Sequence, residues 1–362
     1  MSAGVSIGPG SRAAPRGDRV EHPTVTGQAQ LPGARPRAAI EAIVPLVAAE
    51  LDAVAAMFRE NLSSPLAIVD EVGEFVADGG GKRIRPTLHL LSARLCGYRG
   101  PHAVLIATVV EFIHCATLIH DDIIDGATTR RGRPAVNAVW GNSVTVLFGD
   151  YMFAKAMELA LRAGNLRVME QLADVTLRMT EGEMLQTRYV SRLDLSREEY
   201  LDLVDKKTAA LFGCSCELAG TLAGVEPRRQ AALGRFGRHL GTAFQLVDDL
   251  LDLTGDAETL GKPAGSDLRE GKATLAVIEL LAGDAGAQAR DLAEQIVSGR
   301  GDTDRGVARL GQLLRESGAL DRVRERARFH ARCAVAELDR FDDGPARRAL
   351  RTLPDLLLTR ER

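Results

Sequence analysis

AVLIATVVEFIHCATLIHDDIID, residues 103–125, is apolar for most of its length and acidic at its end. Its apolar residues recur at three- and four-residue spacing, which marks a helix rather than a strand. The same spacing runs through 39–60, 143–163, 165–189, 198–222 and 228–254. Breaks fall at Gly79, Gly80 and Gly81, between Gly97 and Pro101, from Gly126 to Pro134, from Val225 to Pro227, and over the Gly/Pro-rich 255–272. No segment alternates with period two. The expectation is an all-α fold, one large helical bundle spanning 39–362.

Composition agrees. Aromatic residues make up only 4% of the 362, fewer than strands normally carry, while Leu and Ala, both strong helix formers, dominate. Residues 1–38 are rich in Gly, Pro, Ala and Arg without apolar periodicity, and read as a disordered extension. They lack the apolar centre of a signal peptide. No run approaches the roughly 18 apolar residues of a membrane-spanning helix. A formal charge of -3 gives no footprint for nucleic acid. The five cysteines are odd in number and scattered through apolar surroundings, as expected of reduced thiols in a cytoplasmic protein. Cys214 and Cys216, two apart on a helix, face different ways and make a poor metal pair.

On a helix, Asp121 and Asp125 project together while Asp122 sits about 100° away. Two such carboxylates repel unless a divalent cation lies between them, and Mg²⁺ favours carboxylates, waters and phosphate oxygens. Alone, the cluster could equally be a solvated helix end. A second copy, Asp248, Asp249 and Asp252, ends another apolar helix far along the chain. Facing helices would then line a cleft with carboxylates, suited to Mg²⁺ ions and one diphosphate.

Cations complete the set. Of the six lysines, all but Lys155 lie in distinctive stretches: Lys82, Lys206, Lys207, Lys262 and Lys272. Lys82 and Arg85 belong to GGKRIRP (80–86), a glycine-led turn before a helix, where backbone can approach an anion and cations can neutralise it. Arg130 and Arg131 follow the first aspartates closely. Thr117, Ala116, Ile113 and Phe112 run back from Asp121 and offer an apolar wall for a ligand tail; ordinary core packing is the alternative for each.

With GGKRIRP, HDDIID (120–125), RRGRPAVN (130–137), GEMLQ (182–186), KKTAALF (206–212), FQLVDDLLD (244–252) and GKPAGSDLREGK (261–272), the chain resembles the trans-prenyl diphosphate synthase family, specifically its bacterial long-chain polyprenyl members, from about residue 60 onward. The resemblance implies a helical bundle around a central cavity, usually a homodimer, that joins isopentenyl diphosphate to an allylic diphosphate such as farnesyl diphosphate. It implies Mg²⁺ at Asp121, Asp122, Asp125, Asp248, Asp249 and Asp252. Lys82, Arg85, His114 and Arg131 match positions that bind isopentenyl diphosphate. Arg130, Lys207, Lys262 and Lys272 match cations on the allylic diphosphate, and Thr208 and Gln245 match polar groups beside the reacting carbon; Lys207, Thr208 and Gln245 are thus the catalytic candidates. Ala276 departs from the pattern, standing where the family often has Pro.

Product length turns on Ala116, about 7.5 Å down the helix from Asp121 at 1.5 Å per residue. Ala116 and Thr117 leave the chain's path open where short-chain relatives often place an aromatic, so the expected product is about C30–C50. Phe112, Phe148 or Met152 are candidates for the floor. The alternatives are a geranylgeranyl diphosphate synthase or the catalytic subunit of a heteromeric synthase. A terpene cyclase would normally lack the second aspartate cluster and the Lys82–Arg85 cations, and a silent subunit would have lost aspartates.

Overall fold

The computed structural model describes residues 36–130, 132–254 and 265–359. These are helical almost throughout: α1 (Pro36–Leu62), α2 (Ala67–Asp78), α3 (Ile84–Leu95), α4 (His102–Ile124), α5 (Val136–Leu161), α6 (Leu166–Tyr189), α7 (Arg197–Val204), α8 (Ala210–Ala223), α9 (Pro227–Thr254), α10 (Ser266–Arg269), α11 (Leu275–Leu281), α12 (Gly286–Val297), α13 (Thr303–Glu316), α14 (Ala319–Glu337) and α15 (Pro345–Leu358). Among the described residues the strand content is one antiparallel ladder, Thr129–Arg130 against Arg133–Pro134. The all-α expectation holds. The extension assigned to 1–38 lies, up to residue 35, outside the described residues.

Local chemistry sets the boundaries. Asn165 caps α6 by accepting from the backbone N–H groups of Arg167 and Val168. Ser196 and Glu199 form a reciprocal capping box at the start of α7. The start of α5 differs from the sequence reading, which began at 143. Helical backbone begins at Val136 and is interrupted at Gly141, whose φ of 75° suits glycine. Between α7 and α8, residues Asp205–Ala209 form a single π-helical turn, a feature often found at functional sites.

The helix that opened the sequence reading is the centre of the molecule. α4 packs against α5, α3, α1 and α8. Its Ile106, Val109, Val110 and Ile113 are completely buried. α4 comes closer to a spanning helix than the sequence reading allowed: its length and hydropathy suffice, but 67% of its most apolar window is buried inside the protein. Phe112, Phe148 and Met152, considered for a pocket floor, sit in the same core with Phe58.

Candidate active site

The polar ends of α4 and α9, the turn before α3, the flank of α6 and the π turn enclose a cavity of about 1020 Å³. Of the candidate residues, Lys82, Arg85, His114, Thr117, Asp121, Arg130, Lys207, Thr208, Gln245, Asp248 and Asp252 line it. Arg131 and Lys262 lie outside the described residues.

The cation turn is built on unusual backbone. Gly80 takes φ 60°, and Arg83 takes φ 47°, a left-handed conformation costing a non-glycine residue about 1 kcal/mol. Arg83 spends its charge within the protein, donating to Glu111 Oε1 at 2.7 Å and lying 4.9 Å from the Phe58 ring centroid. Arg85 is enclosed and sits 4.5 Å over Phe212. Burial lowers its pKa to about 10 against the opposing pull of Glu111 and Cys115, so it stays cationic at neutral pH. Its buried Nε has no hydrogen-bond partner. A desolvated cation with an unsatisfied donor is costly unless an anion arrives.

The first aspartate motif divides by face. Asp121 points into the cavity, and burial pushes its pKa up to about 7, with Glu183 and Asp125 adding to the rise and Lys207 and Arg130 opposing it. Lys207 Nζ stands 3.8 Å from Asp121 Oδ2 and 2.6 Å from Glu183 Oε2. Asp125 caps α4 and is held by Lys272 Nζ at 2.8 Å. Asp122 turns away from the cavity: it is 2% exposed and receives Arg130 Nε at 2.6 Å. Asn137 donates to the backbone oxygens of Asp122 and Ala127, tying the loop of RRGRPAVN to the helix end.

The second motif divides likewise. Asp248 and Asp252 line the cavity, and Asp252 Oδ2 accepts the Asp267 backbone N–H at 3.1 Å. Asp249 points inward, 6% exposed, accepting from Gln245 Nε2 at 2.8 Å and from the Tyr200 hydroxyl. Burial pushes its pKa up to about 8, Asp267 and Asp248 adding, Tyr200 and Gln245 opposing. Thr208 Oγ1 donates to Gln245 Oε1 at 2.8 Å.

Among the described residues, no three His, Cys, Asp or Glu side chains cage an ion by themselves. The carboxylates of Asp121, Glu183, Asp248 and Asp252 give the cavity oxygen donors, as a hard cation requires, and lysines now neutralise Asp121 and Asp125. A divalent ion whose remaining ligands come from water and a phosphate ester fits this set.

Thr117 lines the cavity but Ala116 does not: it is fully buried in the core around Phe112 and Met152. The reason is angular, since consecutive helix positions differ by about 100°. Phe153 and Met179 supply apolar wall instead. Sequence reasoning missed three polar residues. Glu183 was within reach, as a carboxylate in the quoted GEMLQ stretch; buried Glu111 and Tyr200 carried no distinguishing signal.

A family model described as polyprenyl synthetase matches residues 67–311. The chain is 38% identical to the octaprenyl diphosphate synthase of Escherichia coli (strain K12), a match covering 89% of this chain and 99% of that protein. It superposes with a TM-score of 0.84 on a polyprenyl synthase from Caulobacter crescentus CB15 complexed with calcium and isoprenyl diphosphate, at 38% identity over 89% of this chain and 98% of that one. A decaprenyl diphosphate synthase from Rhodobacter capsulatus gives a TM-score of 0.83 and 39% identity over 89% and 99%.

Proposed function

The chain belongs to the polyprenyl synthetase family, and from that premise we propose that it condenses isopentenyl diphosphate with an allylic diphosphate, for example farnesyl diphosphate, into a long-chain all-trans polyprenyl diphosphate. The observation that carries the reading is one cavity lined by Asp121, Asp248 and Asp252 together with Lys82 and Arg85. Carboxylates for metal and separate cations for phosphate are what two diphosphate esters require.

In this reading Asp121, Asp125 and Asp248 hold Mg²⁺, with Asp252 beside them. Bound there, Mg²⁺ would neutralise the departing allylic diphosphate as a Lewis acid. Asp122 and Asp249 act from behind, because Asp122 is buried with Oδ1 on Arg130 and both oxygens of Asp249 accept from Gln245 and Tyr200. That arrangement narrows the six-aspartate ligand set expected from sequence. Lys207 and Lys272, paired with Asp121 and Asp125 in the free enzyme, turn to phosphate oxygens once the carboxylates have metal. Arg130 supports them. Lys82, Arg85 and His114 bind isopentenyl diphosphate, and Thr208 and Gln245 face the allylic carbon as its C–O bond breaks. The isopentenyl double bond then attacks that carbon and proton loss restores an alkene, so the chain needs no nucleophile of its own. Its contribution is charge stabilisation, orientation and exclusion of water.

The long-chain relatives support a product of about C30–C50, as does the absence of a bulky side chain at Thr117. A homodimer is part of the proposal: Val146, Leu147 and Leu161 on α5, with Leu166 and Leu177 on α6, are large apolar side chains left exposed. We place the protein in the cytoplasm. The test is incubation of the purified chain with Mg²⁺, labelled isopentenyl diphosphate and farnesyl diphosphate, followed by sizing of products. Extension beyond about C20 is expected; no extension with any primer sinks the reading, unless adding a small partner subunit restores it, which selects the heteromeric alternative.

A further inference from the structure

The turn that carries Lys82 and Arg85 has a third cation between them, and that one is tied down. Arg83 is the residue before α3, with φ 47° and ψ 36°. Its carbonyl oxygen accepts from the backbone N–H and the hydroxyl of Thr87, at 3.0 and 2.8 Å. Its guanidinium donates to Glu111 Oε1 at 2.7 Å and lies 4.9 Å from the Phe58 ring centroid. Arg83 is thus held by α3 through its backbone and by α4 and α1 through its side chain.

Glu111 is 5% exposed and belongs to the cavity wall. On charge alone a carboxylate there is a handicap, because it repels a diphosphate. Backbone geometry gives it a purpose. Left-handed backbone at a residue other than glycine persists only where its surroundings over-determine it. Each residue has two soft dihedrals, so rotation at Arg83 would swing Lys82 relative to α3, the helix that carries Arg85. We infer that Glu111 is a positioning residue for isopentenyl diphosphate: by claiming the Arg83 guanidinium it locks the left-handed turn in which Lys82 and Arg85, on either side, both line the cavity. The ion pair is partly enclosed, with side-chain exposures of 21% for Arg83 and 6% for Glu111, so water screens it little. A site whose cations are set before the ligand arrives loses less freedom on binding.

This inference rests on the reading of Lys82 and Arg85 as the isopentenyl diphosphate site, and the sign of one effect separates it from plain electrostatics. Full-length wild type, Glu111→Ala, Glu111→Gln, Arg83→Ala and the double alanine variant are titrated with isopentenyl diphosphate by calorimetry without metal. Steady-state kinetics with Mg²⁺ and farnesyl diphosphate follow. Removing an anion beside a diphosphate tightens binding if charge alone matters. Loss of the clamp should instead weaken it about tenfold in Glu111→Ala. KM for isopentenyl diphosphate should rise in parallel, with KM for farnesyl diphosphate unchanged. Glu111→Gln keeps an oxygen for Arg83 in a neutral hydrogen bond of about half the strength, so its loss should be about threefold. Arg83→Ala should match Glu111→Ala, and the double variant should lose no more, because residues acting as one clamp are not additive. If circular dichroism shows Glu111→Ala unfolded, Glu111→Met, which fills the space without an acceptor, takes its place with the same expectations. Tighter or unchanged binding in Glu111→Ala, or equal rises in both KM values, would overturn the positioning role. So would multiplicative losses in the double variant, the mark of Arg83 as a direct phosphate ligand. A wild type that neither binds isopentenyl diphosphate nor extends a primer would overturn the parent reading instead.

Discussion

Arg85 shows how a single residue can be poised for a ligand. Its guanidinium is enclosed, stacked on Phe212 and left with an unsatisfied Nε, so an arriving diphosphate recovers interactions the free enzyme lacks. A charge-assisted hydrogen bond is worth about 1.5–3 kcal/mol. Arg85→Ala should accordingly raise KM for isopentenyl diphosphate by roughly 10- to 100-fold, while KM for the allylic primer changes little; steady-state kinetics with each substrate varied checks this. At the opposite charge, Asp121→Ala should remove turnover, and normal turnover in that variant would end the metal assignment. The neighbouring pair Ala116 and Thr117 makes the subtler case. Thr117→Phe should project into the cavity and shorten the product. Ala116→Phe must enter a closed core, at about 1–3 kcal/mol of overpacking, so its melting temperature should fall along with any change in product length.

At the scale of elements, the π turn Asp205–Ala209 is what carries Lys207 and Thr208 to the cavity, and its neighbours hold it in place. Arg238 donates to both oxygens of Asp205, at 3.2 and 3.0 Å. On the other side, α6 meets the turn at Gly182, where a Cβ would lie 2.8 Å from the Lys207 backbone nitrogen and 3.0 Å from Lys206 Cβ. Only glycine lets the helix approach so closely. Gly182→Ala should push the turn outward, lowering kcat at least tenfold through a displaced Lys207 while circular dichroism stays helical. Unchanged kinetics would show that α6 can retreat without moving the turn.

At the scale of the molecule, burial of acidic groups links stability to pH and to metal. Asp121 and Asp249 have folded pKa values raised to about 7 and about 8 by burial, against unfolded values near 4. The folded state therefore binds protons more tightly, so the protein free of metal is stabilised at low pH and loses that stabilisation as pH rises from about 4 to 8. Its melting temperature should fall over that window. Mg²⁺ should raise melting temperature more at pH 8 than at pH 5, since metal competes with protons for Asp121; equal shifts at both pH values would count against the site. The exposed apolar area of α5 and α6 makes a second prediction. Leu147→Glu combined with Leu166→Glu should move the protein from dimer to monomer on gel filtration.

The helical class was legible because it is a local property. Apolar spacing in 103–125 and its companions, with glycine and proline between them, needs no distant partner to be read. Paired aspartates and cation turns were legible for the same reason. Spacing also separated Asp122 from Asp121, since helix geometry alone turns consecutive residues apart. What the spacing could not supply was the partner on the far side. Tyr200 behind Asp249 and Glu111 beneath Arg83 are contacts between residues distant in sequence, and Tyr200 looks like any other helical tyrosine until α7 meets α9; Arg130 lies near Asp122 in the chain, but that it turns back onto that carboxylate is decided by the fold of the loop between them. Ala116 was assigned to a pocket wall because its depth along α4 was readable, whereas its direction depended on which side of the helix the bundle covered. Sequence determined which residues can do the chemistry; only tertiary packing decided which of them face the cavity and which hold the others still, because burial and long-range hydrogen bonds arise when helices meet.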